Sequence, residues 1–213
     1  MTDKKAVEIL NLLREQYPDA GTRLKFASQF ELLIAVVLSA QSTDNQVNQV
    51  TRTLFSKYNR PEDLADLDIE LLEELIKGVG LYKNKARFIK ALSQELVNRY
   101  NSKVPSDIGQ LIKLPGVGRK TANVVLAVGF NKPGLGVDTH VNRVVNRLGL
   151  VKEKRADKIE VRLKNLLPEK LWSEAHHLFI AHGRQVCKAR KPKCDSCVLT
   201  HYCPASPQKA LQP

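Results

Sequence analysis

Leu114-Pro-Gly-Val-Gly-Arg-Lys-Thr121 is the stretch that decides the expected fold, and Val137-Asp-Thr-His140 begins seventeen residues beyond its lysine. The glycines on either side of Val117 predict a tight turn, because glycine tolerates backbone conformations that other residues avoid. Apolar residues at helical spacing follow and predict a helix that starts at the turn. Such a turn exposes N–H groups and the positive end of a helix dipole, which together favour binding of a phosphate.

Simpler interpretations exist for each part of this pattern. Most Gly-x-Gly triplets are ordinary turns, and Asp138 alone predicts the N-cap of an apolar helix that runs to Leu148. The spacing Gly-x-x-x-x-Gly-Lys-Ser/Thr of nucleotide-triphosphate loops is absent. These interpretations explain the residues singly, but they do not explain why the residues occur together with a cysteine cluster in one basic chain.

The charge of the chain favours a polyanionic partner. Its 213 residues include 34 Lys and Arg against 22 Asp and Glu, a net charge of +12. Nucleic acid is the first candidate and an anionic membrane the second. No apolar run reaches the roughly 18–20 residues that span a bilayer; the longest, Leu32 to Ala40, predicts a buried helix. The N-terminus lacks a signal pattern, so we expect a cytoplasmic protein with reduced cysteines.

All four cysteines lie in one short segment, spaced C-x6-C-x2-C-x5-C: Cys187, Cys194, Cys197 and Cys203. Four thiolates at this density are typical of a four-cysteine zinc site or a [4Fe–4S] cluster, and the spacing alone leaves both open. Four basic residues, Lys188, Arg190, Lys191 and Lys193, fall between the first two cysteines. They predict a loop that reaches phosphates, with a solvated charged loop as the alternative.

Apolar periodicity predicts helices along nearly the whole chain and no strand of useful length. A capping box, Ser28-Gln-Phe-Glu31, opens the apolar helix that ends near Ala40. The other predicted helices cover residues 4–16, 44–58, 62–67, 69–77, 83–100, 119–130, 139–148, 157–167 and 171–182. Gly78-Val-Gly80 echoes Gly116-Val-Gly118 and suggests a second turn that faces the same partner. The Asn131–Gly136 segment is the best candidate for a linker.

The chain closely resembles the endonuclease III family of DNA glycosylases, which belongs to the helix–hairpin–helix superfamily. The resemblance runs from about Ala6 to Cys203. It is carried by Leu38 to Asp44, Gly80-Leu-Tyr82, Leu114 to Ala122, Val137 to His140 with Asn146-Arg147, His182-Gly-Arg184 and the cysteine spacing. It implies an all-α fold of two helical domains with a DNA-binding cleft between them. Residues 22–132 would form a six-helix barrel with the hairpin, and residues 1–21 and 133–213 a second domain with the cluster.

The resemblance also implies an activity and a set of site residues. The enzyme would flip an oxidised pyrimidine out of duplex DNA, excise it and cleave the abasic site. Lys120 would be the nucleophile and Asp138 would stabilise positive charge on the sugar. Gln41 would fill the vacated stack and Leu81 would wedge the opposite strand. Further DNA contacts are expected from the hairpin and two other segments: Gly116, Val117, Gly118, Arg119, His140, Lys191 and Lys193. In this family the cysteine spacing carries [4Fe–4S].

The nearest alternative is an adenine mismatch glycosylase of the same superfamily. That family lacks the hairpin lysine and places a catalytic glutamate in the early apolar helix, where Leu32 to Leu38 contains no acid. Only ten residues follow Cys203, so its extra C-terminal domain is not expected. A non-enzymatic DNA-binding or redox-sensing module would leave Lys120 and Asp138 without a purpose.

The expected partner is double-stranded DNA with damaged pyrimidines or abasic sites, bound by a monomer that is associated with the nucleoid. Two residues depart from the commonest family pattern. Ser42 stands where alanine is frequent, and Asn142 where a larger apolar residue is often found. Both are expected near the DNA, where they bear on lesion preference and not on the mechanism.

Overall fold

The computed structural model describes residues 3–207, and all regular structure in that range is helical. The eleven α-helices are α1 Lys4–Gln16, α2 Gln29–Leu38, α3 Asp44–Phe55, α4 Pro61–Asp66, α5 Ile69–Leu75, α6 Tyr82–Tyr100, α7 Ile108–Leu111, α8 Arg119–Phe130, α9 Thr139–Arg147, α10 Ala156–Leu166 and α11 Trp172–Gln185. Short 3-10 helices cover Glu169–Leu171, Cys194–Ser196 and Thr200–Tyr202. The expected all-α fold is confirmed. Among the described helices, none is long and apolar enough to cross a membrane.

The chain divides into two compact units. The central unit is Arg23–Lys132, and the terminal unit combines Met1–Thr22 with Pro133–Pro213. Each unit has its own hydrophobic core. The terminal unit is therefore assembled from the two ends of the sequence, whereas the central unit is continuous.

Helix α2 forms the centre of the central unit. Every residue from Phe30 to Leu38 is buried, because α2 packs against α3, α6 and α8. The predicted capping box is only half formed. The Ser28 hydroxyl accepts the Glu31 N–H at 3.1 Å, but the Glu31 carboxylate accepts the N–H of Ala27 at 2.6 Å instead of that of Ser28. Glu31 thus satisfies a donor one residue further out in the chain that enters the helix.

The terminal unit is built on α11, which packs against both α1 and α9. The α1 side chains Ile9, Leu10 and Leu13 are fully buried. Gly183 lets α11 approach α9 closely, since a Cβ there would lie 2.9 Å from the Cβ of His140. The apolar faces of these helices at 3–4-residue spacing explain why they are visible in the sequence.

One short helix was not predicted, and one predicted helix ends earlier than expected. Helix α7 has only four residues, too few to show a periodic pattern, and it is capped by Asp107, whose carboxylate accepts the Gln110 N–H at 2.9 Å. The expected helix over residues 44–58 ends at Phe55 and begins with a capping box between Thr43 and Gln46. Polar caps, which do not depend on periodicity, define both starts.

Candidate DNA-binding and catalytic site

Helices α7 and α8 form a hairpin around the turn from Leu114 to Gly118. Gly116 has φ +76, and a Cβ there would lie 2.8 Å from the Cβ of Phe88. Glycine is therefore required twice at this position, by the backbone and by the packing. Gly118 has an ordinary φ of −86 with open space around it. The sequence-based explanation, that both glycines provide unusual φ values, is wrong for Gly118.

Gly118 is the N-cap of α8, and no side chain among the described residues caps this helix end. The first N–H groups of a helix have no partner within the helix, and at this end no side chain of the N-cap residue satisfies them. Arg119 and Lys120 occupy the first turn, and both side chains are exposed. An uncapped helix end behind an open glycine, with two cations beside it, suits a DNA phosphate.

Asp138 is the N-cap of α9, as its simpler interpretation predicts. Its Oδ1 accepts the N–H groups of His140 and Val141, both at 2.8 Å. Oδ2 accepts no hydrogen bond from any of the described residues. The cap therefore fixes the carboxylate through one oxygen and leaves the other available, which makes the structural and the chemical roles compatible. Lys120 belongs to the central unit and Asp138 to the terminal unit.

Gln41 and Leu81, expected to enter the DNA, share an unusual backbone. Both are left-handed, with φ +54 at Gln41 and φ +56 at Leu81, and both side chains are exposed. Leu81 is 55% exposed, which is high for a leucine and shows that it is not a core residue. The two turns are adjacent, since a Cβ at Gly80 would lie 3.0 Å from the carbonyl oxygen of Gln41.

The glycine turns at residues 78–80 and 116–118 are similar in structure as well as in sequence. Val79 and Val117 are both buried, and each donates its N–H to the carbonyl three residues earlier at 3.1 Å. A helix starts directly after each turn. The turns differ in the position of the left-handed residue, which is Gly116 in the hairpin but Leu81 in the other turn.

The four cysteines line one cavity of about 170 Å³ in the terminal unit. Burial raises the pKa of the Cys197 and Cys203 thiols. Within the described residues, no group of three or more His, Cys, Asp and Glu side chains is placed to hold a single metal ion. The four thiols thus share one cavity.

Nitrogen donors face two of these thiols. The Arg147 guanidinium lies 3.5 Å from Cys187 Sγ, and His182 Nε2 lies 3.7 Å from Cys197 Sγ. Tyr17 Oη lies 3.1 Å from His182 Nδ1, so a proton on Nε2 lets the histidine accept from the tyrosine and donate to the sulfur. Burial lowers the pKa of His182 to about 4. The neutral His182 donor and the Arg147 cation both face a sulfur atom. Such donors fit a site that concentrates negative charge on its thiolates.

The basic loop between Cys187 and Cys194 is held by α9. Arg147 donates to the carbonyls of Lys188 at 2.7 Å and Ala189 at 3.1 Å. Arg143 donates to the carbonyl of Cys187 at 2.9 Å. The loop's four basic side chains, at 188, 190, 191 and 193, are all exposed. Sequence reasoning missed these arginine contacts, because nothing in the spacing links α9 to the cysteine segment.

The hairpin with its uncapped helix end and the Asp138 cap both lie in a segment that matches DNA repair proteins of the helix–hairpin–helix class. Residues 34–169 match the model of the HhH-GPD superfamily of base excision DNA repair proteins. Residues 187–203 match the iron–sulfur binding domain of endonuclease III. The chain belongs to the endonuclease III family.

Individual relatives cover almost the whole chain. Endonuclease III of Rickettsia conorii is 46% identical over 92% of this chain and 93% of its own. The structure of a non-covalent endonuclease III–DNA complex has a TM-score of 0.93, with 45% identity and full coverage of both chains. A trapped endonuclease III–DNA covalent intermediate, an estranged-adenine complex, has a TM-score of 0.92 and 46% identity over 99% of this chain and 100% of its own.

The protein is accordingly a base excision repair enzyme, a DNA glycosylase with abasic-site lyase activity. It carries a [4Fe–4S] cluster, which decides the choice that the cysteine spacing left open. The two alternatives, an adenine mismatch glycosylase and a non-enzymatic module, are not favoured.

Proposed function

We propose that the enzyme excises oxidised pyrimidines from duplex DNA, with Lys120 as the nucleophile. The observation that carries this is the exposed Lys120 on the first turn of α8, beside an uncapped helix end. An ammonium cannot attack, so the lysine has to lose its proton before it acts as a nucleophile. The amine then attacks C1′, and the bond from C1′ to the base breaks as the base leaves with a proton.

The C1′–O4′ bond of the sugar ring then breaks as a proton passes from the attached nitrogen to O4′, and the Schiff base formed in this way explains the lyase step. The imine acidifies the proton on C2′, whose loss breaks the bond from C3′ to its oxygen and releases the 3′ phosphate. Asp138 would stabilise the positive charge that develops on the sugar and assist proton transfer, through the carboxylate oxygen that the cap leaves available. Hydrolysis of the imine would return Lys120 for the next cycle.

Base removal requires the target nucleotide to leave the stack, at a cost of a few kcal/mol. We assign the filling of the vacated space to Gln41 and the wedging of the opposite strand to Leu81. Their exposure and their paired left-handed turns support this assignment. Backbone conformations of this kind cost energy in residues other than glycine and are concentrated at functional sites. Gly116, Val117, Gly118, Arg119 and His140 are proposed as further contacts to the DNA.

A substrate panel tests the proposed specificity. We expect strand cleavage of duplexes that contain thymine glycol or an oxidised cytosine, and no removal of adenine from a mismatch. The products should carry the β-elimination end at each lesion. Adenine removal without cleavage at any oxidised pyrimidine would contradict the proposal and restore the mismatch glycosylase. That the protein is a monomer, and that it is cytoplasmic and associated with the nucleoid, stay predictions from the sequence.

We propose Cys187, Cys194, Cys197 and Cys203 as the cluster ligands. They fit the group because four thiols line one cavity and nitrogen donors face two of the sulfurs. When bound, the cluster supplies four iron–thiolate bonds that join the two ends of the cysteine segment. The base-removal chemistry described above transfers no electron, so we assign the cluster a structural task.

Protein purified without oxygen should be yellow-brown and contain about four irons per chain. Replacing Cys197 by Ala should lower the iron content and the visible absorption, because the variant removes one thiolate from the cavity. Ser196→Ala, a change at an exposed neighbour, is the matched control and should retain both. Stoichiometric zinc in a colourless wild-type protein would contradict the cluster.

The loop with Lys191 and Lys193 is proposed to contact phosphates. Replacing both lysines by Gln should weaken binding to damaged and undamaged duplexes about equally, since phosphate contacts carry no base information. Each lost contact should flatten the slope of log K against log salt by about 0.9. Lys152→Gln with Lys158→Gln, two exposed lysines elsewhere in the terminal unit, is the control of equal charge. An unchanged slope in the loop variant would mean a solvated loop.

A further inference from the structure

The two turns that carry Gln41 and Leu81 need something that holds them. Residues other than glycine adopt a left-handed backbone at a cost, and here both do so in neighbouring turns. Neither residue gains burial in return, since both side chains are exposed. The energy that keeps these turns in place must come from contacts beneath them.

Such contacts are made by Lys85, on the first turn of α6. This lysine is only 4% exposed, yet no carboxylate lies among its hydrogen-bond partners in the described residues. Its Nζ donates to the carbonyl of Leu38 at 2.8 Å and to the hydroxyl of Ser42 at 3.1 Å. The carbonyl belongs to the last residue of α2, where the negative end of the helix dipole favours a cation. Burial lowers the pKa of Lys85.

Ser42 completes the connection between the turns. Its hydroxyl oxygen accepts from Lys85 and also from the N–H of Gly80 at 3.1 Å. The residue after Gln41 is therefore bonded to the residue before Leu81. Gly80 permits this proximity, because a side chain there would press on the Gln41 carbonyl. The whole connection lies within the central unit.

We propose that Lys85 and Ser42 are positioning residues that fix the spacing of the Gln41 and Leu81 turns, so that the two side chains enter the duplex together. The inference rests on the proposed insertion roles of Gln41 and Leu81. An alanine at position 42 could accept neither hydrogen bond. The serine thus gives this chain a link that depends on one hydroxyl and that affects base opening, not the chemistry at Lys120.

The test uses Ser42→Ala, Ser42→Thr and Lys85→Met in the full-length holoenzyme. Base opening is followed by the fluorescence of 2-aminopurine beside the lesion, and excision is followed under single-turnover conditions. Ser42→Ala should open and excise about ten-fold more slowly, the loss expected when buried donors lose an acceptor. Ser42→Thr retains the hydroxyl and should recover most of the rate. The loss should be larger on duplex than on a single-stranded abasic oligonucleotide, which has no stack to open.

Lys90→Met is the matched control for Lys85→Met. Lys90 lies in the same helix and donates to a backbone carbonyl, that of Leu67, at 2.7 Å, but away from both turns. Lys90→Met removes one lysine from α6, as Lys85→Met does, but it should retain the wild-type rate of base opening. If Lys85→Met fails to fold, the serine variants carry the test alone.

A double-mutant cycle separates this inference from the function on which it rests. In a Gln41→Ala, Leu81→Ala background, Ser42→Ala should cause no further loss, because it acts only through those side chains. A background variant that opens duplex at the wild-type rate would refute the insertion roles, and the inference with them. Two outcomes would overturn the positioning role only, provided that the background variant opens the duplex slowly. One is a wild-type opening rate for Ser42→Ala alone, and the other is a loss from Ser42→Ala that adds in full to the loss of the background variant.

Discussion

Lys120→Gln is expected to abolish borohydride trapping of the protein on a duplex with an abasic site, while DNA binding is largely retained. The variant removes the amine that forms the Schiff base and keeps a polar side chain of similar length. Because Lys120 is exposed and Gly116 determines the turn, the hairpin should keep its shape. Trapping is measured as a covalent band on a denaturing gel, and binding by a mobility shift on a duplex that is not cleaved.

Lys113→Gln is the matched control, since Lys113 is an exposed lysine at the other side of the same hairpin. It should trap like the wild type. Undiminished trapping by Lys120→Gln would show that another amine is the nucleophile. Loss of trapping together with loss of binding would indicate a damaged hairpin. Trapping is then measured at saturating DNA, where a variant that is defective only in binding recovers trapping and a variant without the nucleophile does not.

Asp138→Asn is expected to slow base removal by about 10²–10³-fold, on the order of 3–4 kcal/mol, the effect of removing one well-placed electrostatic group. The fold should remain intact, because asparagine caps helices about as well as aspartate. The structure makes this separation possible: the cap uses Oδ1 alone. Asp138→Ala should lose the charge and the cap together, with a further cost of about 1 kcal/mol in the free energy of unfolding.

Thermal unfolding and single-turnover excision, measured on the same preparations, check both parts. Asp68→Asn is the control, since Asp68 caps α5 by accepting the Leu71 N–H at 3.1 Å, in a helix with no proposed role in chemistry. It should change neither quantity substantially. Asp138→Asn with a wild-type excision rate would restrict Asp138 to the role of a helix cap.

The helices were predictable because their apolar faces repeat at helical spacing, and α2 because it is apolar on all sides. Helix α7 was not predictable in this way, since four residues show no period. The left-handed backbones of Gln41 and Leu81 could not be predicted from the sequence either. These residue types do not favour that conformation, and only tertiary contacts hold them in it. The burial of Lys85 escaped prediction for the same reason. Asp138, by contrast, was visible as a cap and, through the family resemblance, as a candidate for chemistry.

The terminal unit, assembled from both ends of the sequence, has a consequence for biosynthesis. Helix α1 is made before α11, but its buried face packs against α11, which follows more than 150 residues later. At roughly 5–20 residues per second, that interval is on the order of ten seconds. During this time the central unit can fold as a continuous segment, while Ile9, Leu10 and Leu13 have no permanent partner. The apolar face of nascent α1 is therefore exposed until α11 is made, and pausing of translation before α11 should increase misassembly.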